Sequence, residues 1–169
     1  SDIKNEFRQY DHMYPMLSLN NTYNEDELRD FTGKVENTAG GTVEYVCELK
    51  FDGASISIIY RDGKLFRALT RGDGTKGDDV TLNVKTIHSI PLHVRNKEIP
   101  GEFTVRGEVL MPRAVFNRLN SERLKDDLPQ FANPRNAAAG TLKLLDPKAV
   151  AARKLDCMIY FLLSEELPH

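Results

Sequence analysis

Glu48-Leu49-Lys50-Phe51-Asp52-Gly53 is the stretch from which the rest of the chain is read. Its alternation is that of a β-strand, on which successive side chains point to opposite faces. Glu48, Lys50 and Asp52 would share one face, and Cys47, Leu49 and Phe51 the other. The second face is apolar and suits a core. The first sets a primary amine between two carboxylates, a pattern that a solvated strand face would also tolerate. Residues 43–50 and 54–61 therefore read as strands. Asp62-Gly63 reads as a tight hairpin turn into a third strand over 65–70.

Working outward, the apolar period changes between elements. Asn24 with Glu27 three residues on predicts a helix start, and Leu28 and Phe31 give that helix an apolar face. Residues 32–42, rich in Gly, Thr and Asn, read as a loop, as do the glycine-containing residues 71–77. Asp78 or Asp79 caps a short helix with Val80, Val84 and Ile87 on one side. A strand follows over 103–110. Pro112 suits the first turn of a helix whose stripe is Val115, Phe116 and Leu119. Asn133-Pro134 and Asp146-Pro147 open two shorter helices, and 156–164 is a last strand. The longest apolar run, 157–163, fits a buried strand. Hairpins mixed with helices predict an α+β domain of antiparallel sheets with flanking helices.

At 169 residues the chain is long enough for one domain with a real core. A hydrophobic fraction of 40% and a charged fraction of 28% are ordinary for a globular protein, and no apolar run is long enough to span a bilayer. The first six residues have no apolar core, so no secretory leader is expected. Cys47 and Cys157, both in apolar contexts, are too few for a zinc site and too distant in sequence to suggest a disulfide framework; a reducing cytoplasm is the simplest setting. A formal net charge of −2 gives no hint of nucleic acid. The exception is local: Arg135, Lys143, Lys148, Arg153 and Lys154 stand against Asp146 alone, a strip that could face phosphate or simply be helix-surface charge.

Lys50-Phe51-Asp52-Gly53 is also the nucleophile motif, Lys-x-Asp-Gly, of covalent nucleotidyltransferases. Upstream lies Pro15-Met16-Leu17-Ser18-Leu19. Downstream come Thr70-Arg71-Gly72-Asp73-Gly74, Arg106-Gly107-Glu108-Val109 and Phe131-Ala132-Asn133-Pro134-Arg135-Asn136-Ala137-Ala138-Ala139-Gly140. In order and spacing these blocks resemble the adenylation domain of bacterial NAD-dependent DNA ligases from about Pro15 to the end of the chain. The resemblance implies a nucleotidyltransferase fold truncated at its C-terminal side. Residues 1–14 would be the tail of a preceding linker and 15–169 the nucleotide-binding core.

An amine is nucleophilic only when deprotonated, and the ordinary lysine pKa is about 10.4. Glu48 and Asp52 alone would push the wrong way, so a cation near Lys50 is expected. The resemblance implies that Lys50 attacks the α-phosphate of NAD, releases nicotinamide mononucleotide and holds AMP as a phosphoramide. It further implies support from magnesium or manganese; no metal ligand is certain, and zinc belongs to another part of such ligases. Ser18 and Leu19 match the segment touching adenosine. Glu48 matches a residue bordering the adenine, Asp52 the acid near ribose and metal, Arg71 an arginine packed over the nucleotide, and Glu108 the ribose-contacting glutamate. Arg135 and Lys143 match cations that meet DNA phosphate at a nick, although arginine is commoner at the second position and lysine lacks its bidentate fork. Nicked duplex DNA in replication and repair is the implied partner, in a cytoplasmic, nucleoid-associated setting.

Plainer readings exist for each block. Ser18-Leu19 could be a turn, Arg71-Gly72-Asp73 an adhesion tripeptide, and Arg106 with Glu108 a same-face salt pair. The four histidines, His12, His88, His93 and His169, are scattered and suit surface or supporting positions. Other readings of the whole are an ATP- or GTP-using relative, such as an RNA ligase or capping enzyme, and a degenerate adenylate-binding module. Pro15–Leu19 and the Asn133–Gly140 block argue against the first, and the presence of Lys50, Asp52 and Glu108 against the second. The resemblance leaves the lysine-bearing motifs and the nicotinamide clamp outside this chain. Weak activity in isolation and self-association through open strand edges are therefore expected.

Overall fold

The computed structural model describes residues 7–95 and 98–167, so the readings made for 1–6 and for His169 lie outside it. The described chain falls into two compact units, Leu17–Lys50 and the remainder on either side of it.

The larger unit opens with β1 (Gln9–Asp11). After the smaller unit come β2 (Ala54–Arg61), β3 (Lys64–Thr70) and β4 (Lys76–Asp78), then α2 (Thr81–Val84), β5 (Glu102–Leu110), α3 (Arg113–Lys125), α4 (Pro134–Leu142), α5 (Pro147–Ala152) and β6 (Asp156–Leu163). The smaller unit contributes α1 (Glu25–Ala39). A four-stranded sheet has the order β3-β2-β5-β6, every neighbour antiparallel, and β1 pairs with β4 as a separate two-stranded ribbon. This is the mixed helix and antiparallel sheet architecture that the pattern predicts.

The turn chemistry is as read. Asp62 and Gly63 both take positive φ, 48° and 70°, the geometry a two-residue hairpin of this hand requires. Asn133 caps α4 by accepting from the Asn136 N–H, and Asp146 caps α5 by accepting from Lys148 N–H; each cap is followed by proline in the first turn. The cap of α2 differs from the expectation: it is Val80, with no side-chain cap bond, while Asp79 just before it takes the N–H of Thr81 at 3.0 Å.

The two faces of the four-stranded sheet differ. Ile56, Ile58 and Tyr60 of β2 share a face with Phe103 and Val109 of β5 and join the buried core with Val84, Ala138, Leu142 and Val150 from the helices. Tyr60 stacks on Phe103 with centroids 4.9 Å apart. Asn83 secures α2 to the end of α4, donating to the carbonyls of Leu142 and Leu144 at 2.7 and 2.8 Å. The opposite face carries Ser55 and Ser57 directly across from Glu108 and Arg106. The sheet therefore has an apolar, helix-covered side and a polar side bearing the motif residues of β5.

Four further expectations are corrected. Residues 43–50 form no strand: the alternation is there, but among the described residues no neighbour offers the ladder bonds a strand needs. Residues 32–39 are helical, because α1 tolerates Gly33 and runs on to Gly40, whose N–H returns to the Glu36 carbonyl. Leu28 and Phe31 are half exposed, so the apolar face of α1 is not buried. Finally, the run 157–163 is not a buried strand. β6 pairs with β5 along one side only, and Met158 through Leu162 are all exposed. Cys157 at its start is buried, and burial, then Asp156 and Glu108, pushes its thiol up to about 12. Cys47 is exposed, against its apolar sequence context.

Candidate active site

The turn that follows Lys50 is built from below by β5. Gly53 is buried, and its N–H donates to Glu108 Oε1 at 3.1 Å. The Ser55 hydroxyl donates to Glu108 Oε2 at 2.8 Å. Glu108 is only 8% exposed, so both carboxylate oxygens are tied by groups that lie on β2 or just before it. Hydrogen bonds to a charged acceptor are the stronger kind, and a buried carboxylate without them would be costly. The glycine of the motif has its own reason. A Cβ at Gly53 would stand 2.2 Å from the Val109 carbonyl oxygen, so β5 passes too close for any side chain.

Asp52, next to Gly53, is exposed and pairs with Arg135 Nη1 at 3.1 Å. Arg135 sits in the first turn of α4. Lys143, at the far end of that helix, caps it rather than continuing it. Its ammonium pairs with Asp78 Oδ2 at 2.7 Å. That ammonium, followed by the Gln9 side chain, holds the Asp78 carboxyl below the usual range against the opposing effect of burial. The two cations assigned to phosphate thus address different carboxylates and do not share one.

Arg71 lies in the loop between β3 and β4. Its side chain is exposed and makes no ion pair among the described residues. The loop beneath it is tightly organised. Asp73 accepts from the Lys76 N–H, the Thr75 hydroxyl and the Thr75 N–H, all at 2.8 Å. These bonds, the Lys76 N–H foremost, draw its carboxyl down to about 2. The Arg71 carbonyl accepts the Gly74 N–H at 3.0 Å and faces His12 Nε2 at 3.1 Å. With a carbonyl as partner, Nε2 carries the proton.

Ser18, Leu19, Glu48 and Lys50 belong to the smaller unit, where all are exposed and none lies in a helix or strand. The reading of Glu48, Lys50 and Asp52 as one strand face therefore does not hold. His12 is buried, a supporting rather than a surface position, and Arg106, for which a salt pair with Glu108 is the plainer reading, makes no such pair among the described residues. Its Nη2 donates instead to the carbonyls of Tyr14 and Pro15 at 3.0 and 2.8 Å. Only the burial of residues 12 and 16 beside an otherwise exposed segment exposes this arrangement, and no local pattern encodes it. Among the described residues no group of three or more His, Cys, Asp or Glu side chains could hold a metal. No helix among them is long and apolar enough to cross a membrane.

Sheet and site together define an α+β domain in which a buried glutamate on β5 fastens Gly53 and Ser55. Residues 4–169 match the family described as the NAD-dependent DNA ligase adenylation domain, and the chain belongs to that family. It is 58% identical over 168 residues to a DNA ligase of Parabacteroides distasonis, and 55% identical over 168 residues to DNA ligases of Bacteroides fragilis and Phocaeicola vulgatus. Each alignment takes in 99% of this chain and 25% of the relative, so the chain spans about a quarter of the length of these relatives.

Proposed function

We propose that this chain is the nucleotide-accepting part of an NAD-dependent DNA ligase with the nucleotidyltransferase fold, and that Lys50 is its nucleophile. The observation that carries the reading is the Glu108 clip on Gly53 and Ser55, found inside a domain of this family. A clipped turn holds the residues next to Lys50 in one geometry before substrate arrives, and positioning is the main contribution a protein makes to phosphoryl-type transfer.

In the proposed step, Lys50 Nζ gives up its proton to solvent water and bonds to the α-phosphorus of NAD. The bond from that phosphorus to the nicotinamide mononucleotide oxygen breaks, and AMP stays on the lysine. Ser18, Leu19 and Glu48 border the adenosine. Glu108 still has lone pairs free to accept ribose hydroxyls, since each of its oxygens takes one bond from the protein. Arg71 lies over the nucleotide, where its guanidinium, without an ion pair among the described residues, can stack. A magnesium or manganese ion would supply charge neutralisation at the phosphates. Such ions commonly use one or two carboxylates plus substrate oxygens rather than a protein cage, and the exposed Asp52 suits that role. Arg135 and Lys143 contact nick phosphates, exchanging Asp52 and Asp78 for DNA. The setting would be cytoplasmic and nucleoid-associated, with roles in replication and repair.

The open edge and exposed apolar side chains of β6 support the further reading that copies of this chain self-associate, since an unpaired edge is a template for another strand. Light scattering should show mass rising with concentration; a monomer at every concentration would contradict it.

Intact mass spectrometry after long incubation with NAD and magnesium tests the main reading. One AMP adduct should accumulate slowly, and it should be absent from Lys50→Ala. Uptake from ATP in place of NAD would favour an ATP-using relative instead.

A further inference from the structure

Residues 9–16 form a strap that belongs to no main strand of the four-stranded sheet, yet His12 and Met16 are buried. Along one side the strap is stitched to the Arg71 loop. His12 N–H donates to the Thr75 carbonyl and Met16 N–H to the Gly74 carbonyl, each at 2.8 Å, and the His12 ring reaches the Arg71 carbonyl. Its first residues pair with β4 as β1, and near its end a side chain from β5 reaches it. Arg106 Nη2 bridges the Tyr14 and Pro15 carbonyls, while its Nε is buried without a partner among the described residues. A buried N–H left unpaired is costly, and a surface arginine would swing out to avoid it. Arg106 stays because the two carbonyls hold it.

We infer that Arg106 is a positioning residue for the adenylate site, acting through the strap on the Arg71 loop. The chain of contacts is continuous: β5 carries Arg106, Arg106 fixes Tyr14 and Pro15, and the strap's own N–H groups and His12 fix the loop that bears Arg71. The strap also leads directly in sequence to Ser18 and Leu19, and Glu108, two residues along β5 from Arg106, clips the turn that follows Lys50. Neighbouring side chains on one face of one strand thus secure both segments that flank residues 17–50. This inference rests on the reading of Arg71 as a nucleotide contact.

The test combines two measurements on the full chain with Arg106→Met, Arg106→Lys, Arg71→Ala and the double variant Arg71→Ala/Arg106→Met. Amide hydrogen exchange needs no ligand. In Arg106→Met the His12 and Met16 amides should exchange at least about tenfold faster while those of β2 keep their protection, and Arg106→Lys should recover part of it. Calorimetric titration with NAD should show Arg71→Ala and Arg106→Met each weakening binding by about tenfold, with the double variant within about twofold of Arg71→Ala. Unchanged exchange in Arg106→Met overturns the clip, and multiplying effects in the double variant overturn its action through Arg71. If the unmodified chain binds no NAD, the nucleotide reading itself fails, which the exchange result distinguishes from failure of the clip.

Discussion

The polar groups on β5 and those on α4 do opposite kinds of work. Glu108 is buried and takes two bonds from the protein, while Arg106, half-buried, donates to two carbonyls. Arg135 and Lys143 are more than half exposed, and each meets one carboxylate. Buried, multiply bonded groups fix backbone because leaving any of them unpaired is costly. Exposed ion pairs are worth about 0–1 kcal/mol and exchange partners readily. The difference teaches where this molecule stores geometry and where it keeps charge available for an anion.

Breaking the buried side should do the most damage. Gly53→Ala drives a methyl into the Val109 carbonyl, and overpacking of this kind costs about 1–3 kcal/mol, so thermal or urea unfolding should show that loss. Glu108→Ala leaves the Gly53 N–H buried and unpaired. A cost of about 1–3 kcal/mol follows, and Glu108→Gln, which keeps one acceptor, should recover part of it. Less still is expected from the Arg71 loop, where the effect depends on pH. The Asp73 carboxyl is depressed to about 2, below the ordinary value of about 3.9 for an unfolded chain, so its contribution is present above about pH 4 and lost as pH falls toward 2. Exchange at the Thr75 and Lys76 amides should therefore accelerate over that window, and Asp73→Asn should flatten the dependence. The smallest stability effect belongs to Arg135→Ala, within about 0.5 kcal/mol, because its pair with Asp52 is exposed. The same variant should weaken nicked-DNA binding by the full-length ligase and reduce its salt slope by about one. A large stability loss there would erase the contrast.

Elements announced by neighbouring residues were legible. Asp62-Gly63, Asn133-Pro134, Asp146-Pro147 and the Asn24–Glu27 pair each set a turn or cap through contacts a few residues apart. Features that depend on distant partners were not. Residues 43–50 alternate like a strand, but a strand exists only with a paired neighbour. Residues 157–163 are apolar enough to be buried, but burial depends on what covers β6. The Glu108 clip joins residues 55 apart in sequence, and Arg106 reaches carbonyls 92 and 91 positions away. In the candidate site, residue types and order pointed to the motif block by block. What holds those blocks in place came only from the fold, including the hold of Arg106 on the Tyr14 and Pro15 carbonyls.

The division of labour between a reacting lysine and a buried clip is best tested by measuring NAD binding and AMP transfer separately in Lys50→Ala and Glu108→Ala. Lys50→Ala should bind NAD within a few-fold of the unmodified chain and form no AMP adduct, whereas Glu108→Ala should lose both. An adduct that persists in Lys50→Ala, or a Glu108→Ala chain that binds NAD normally, would contradict the account.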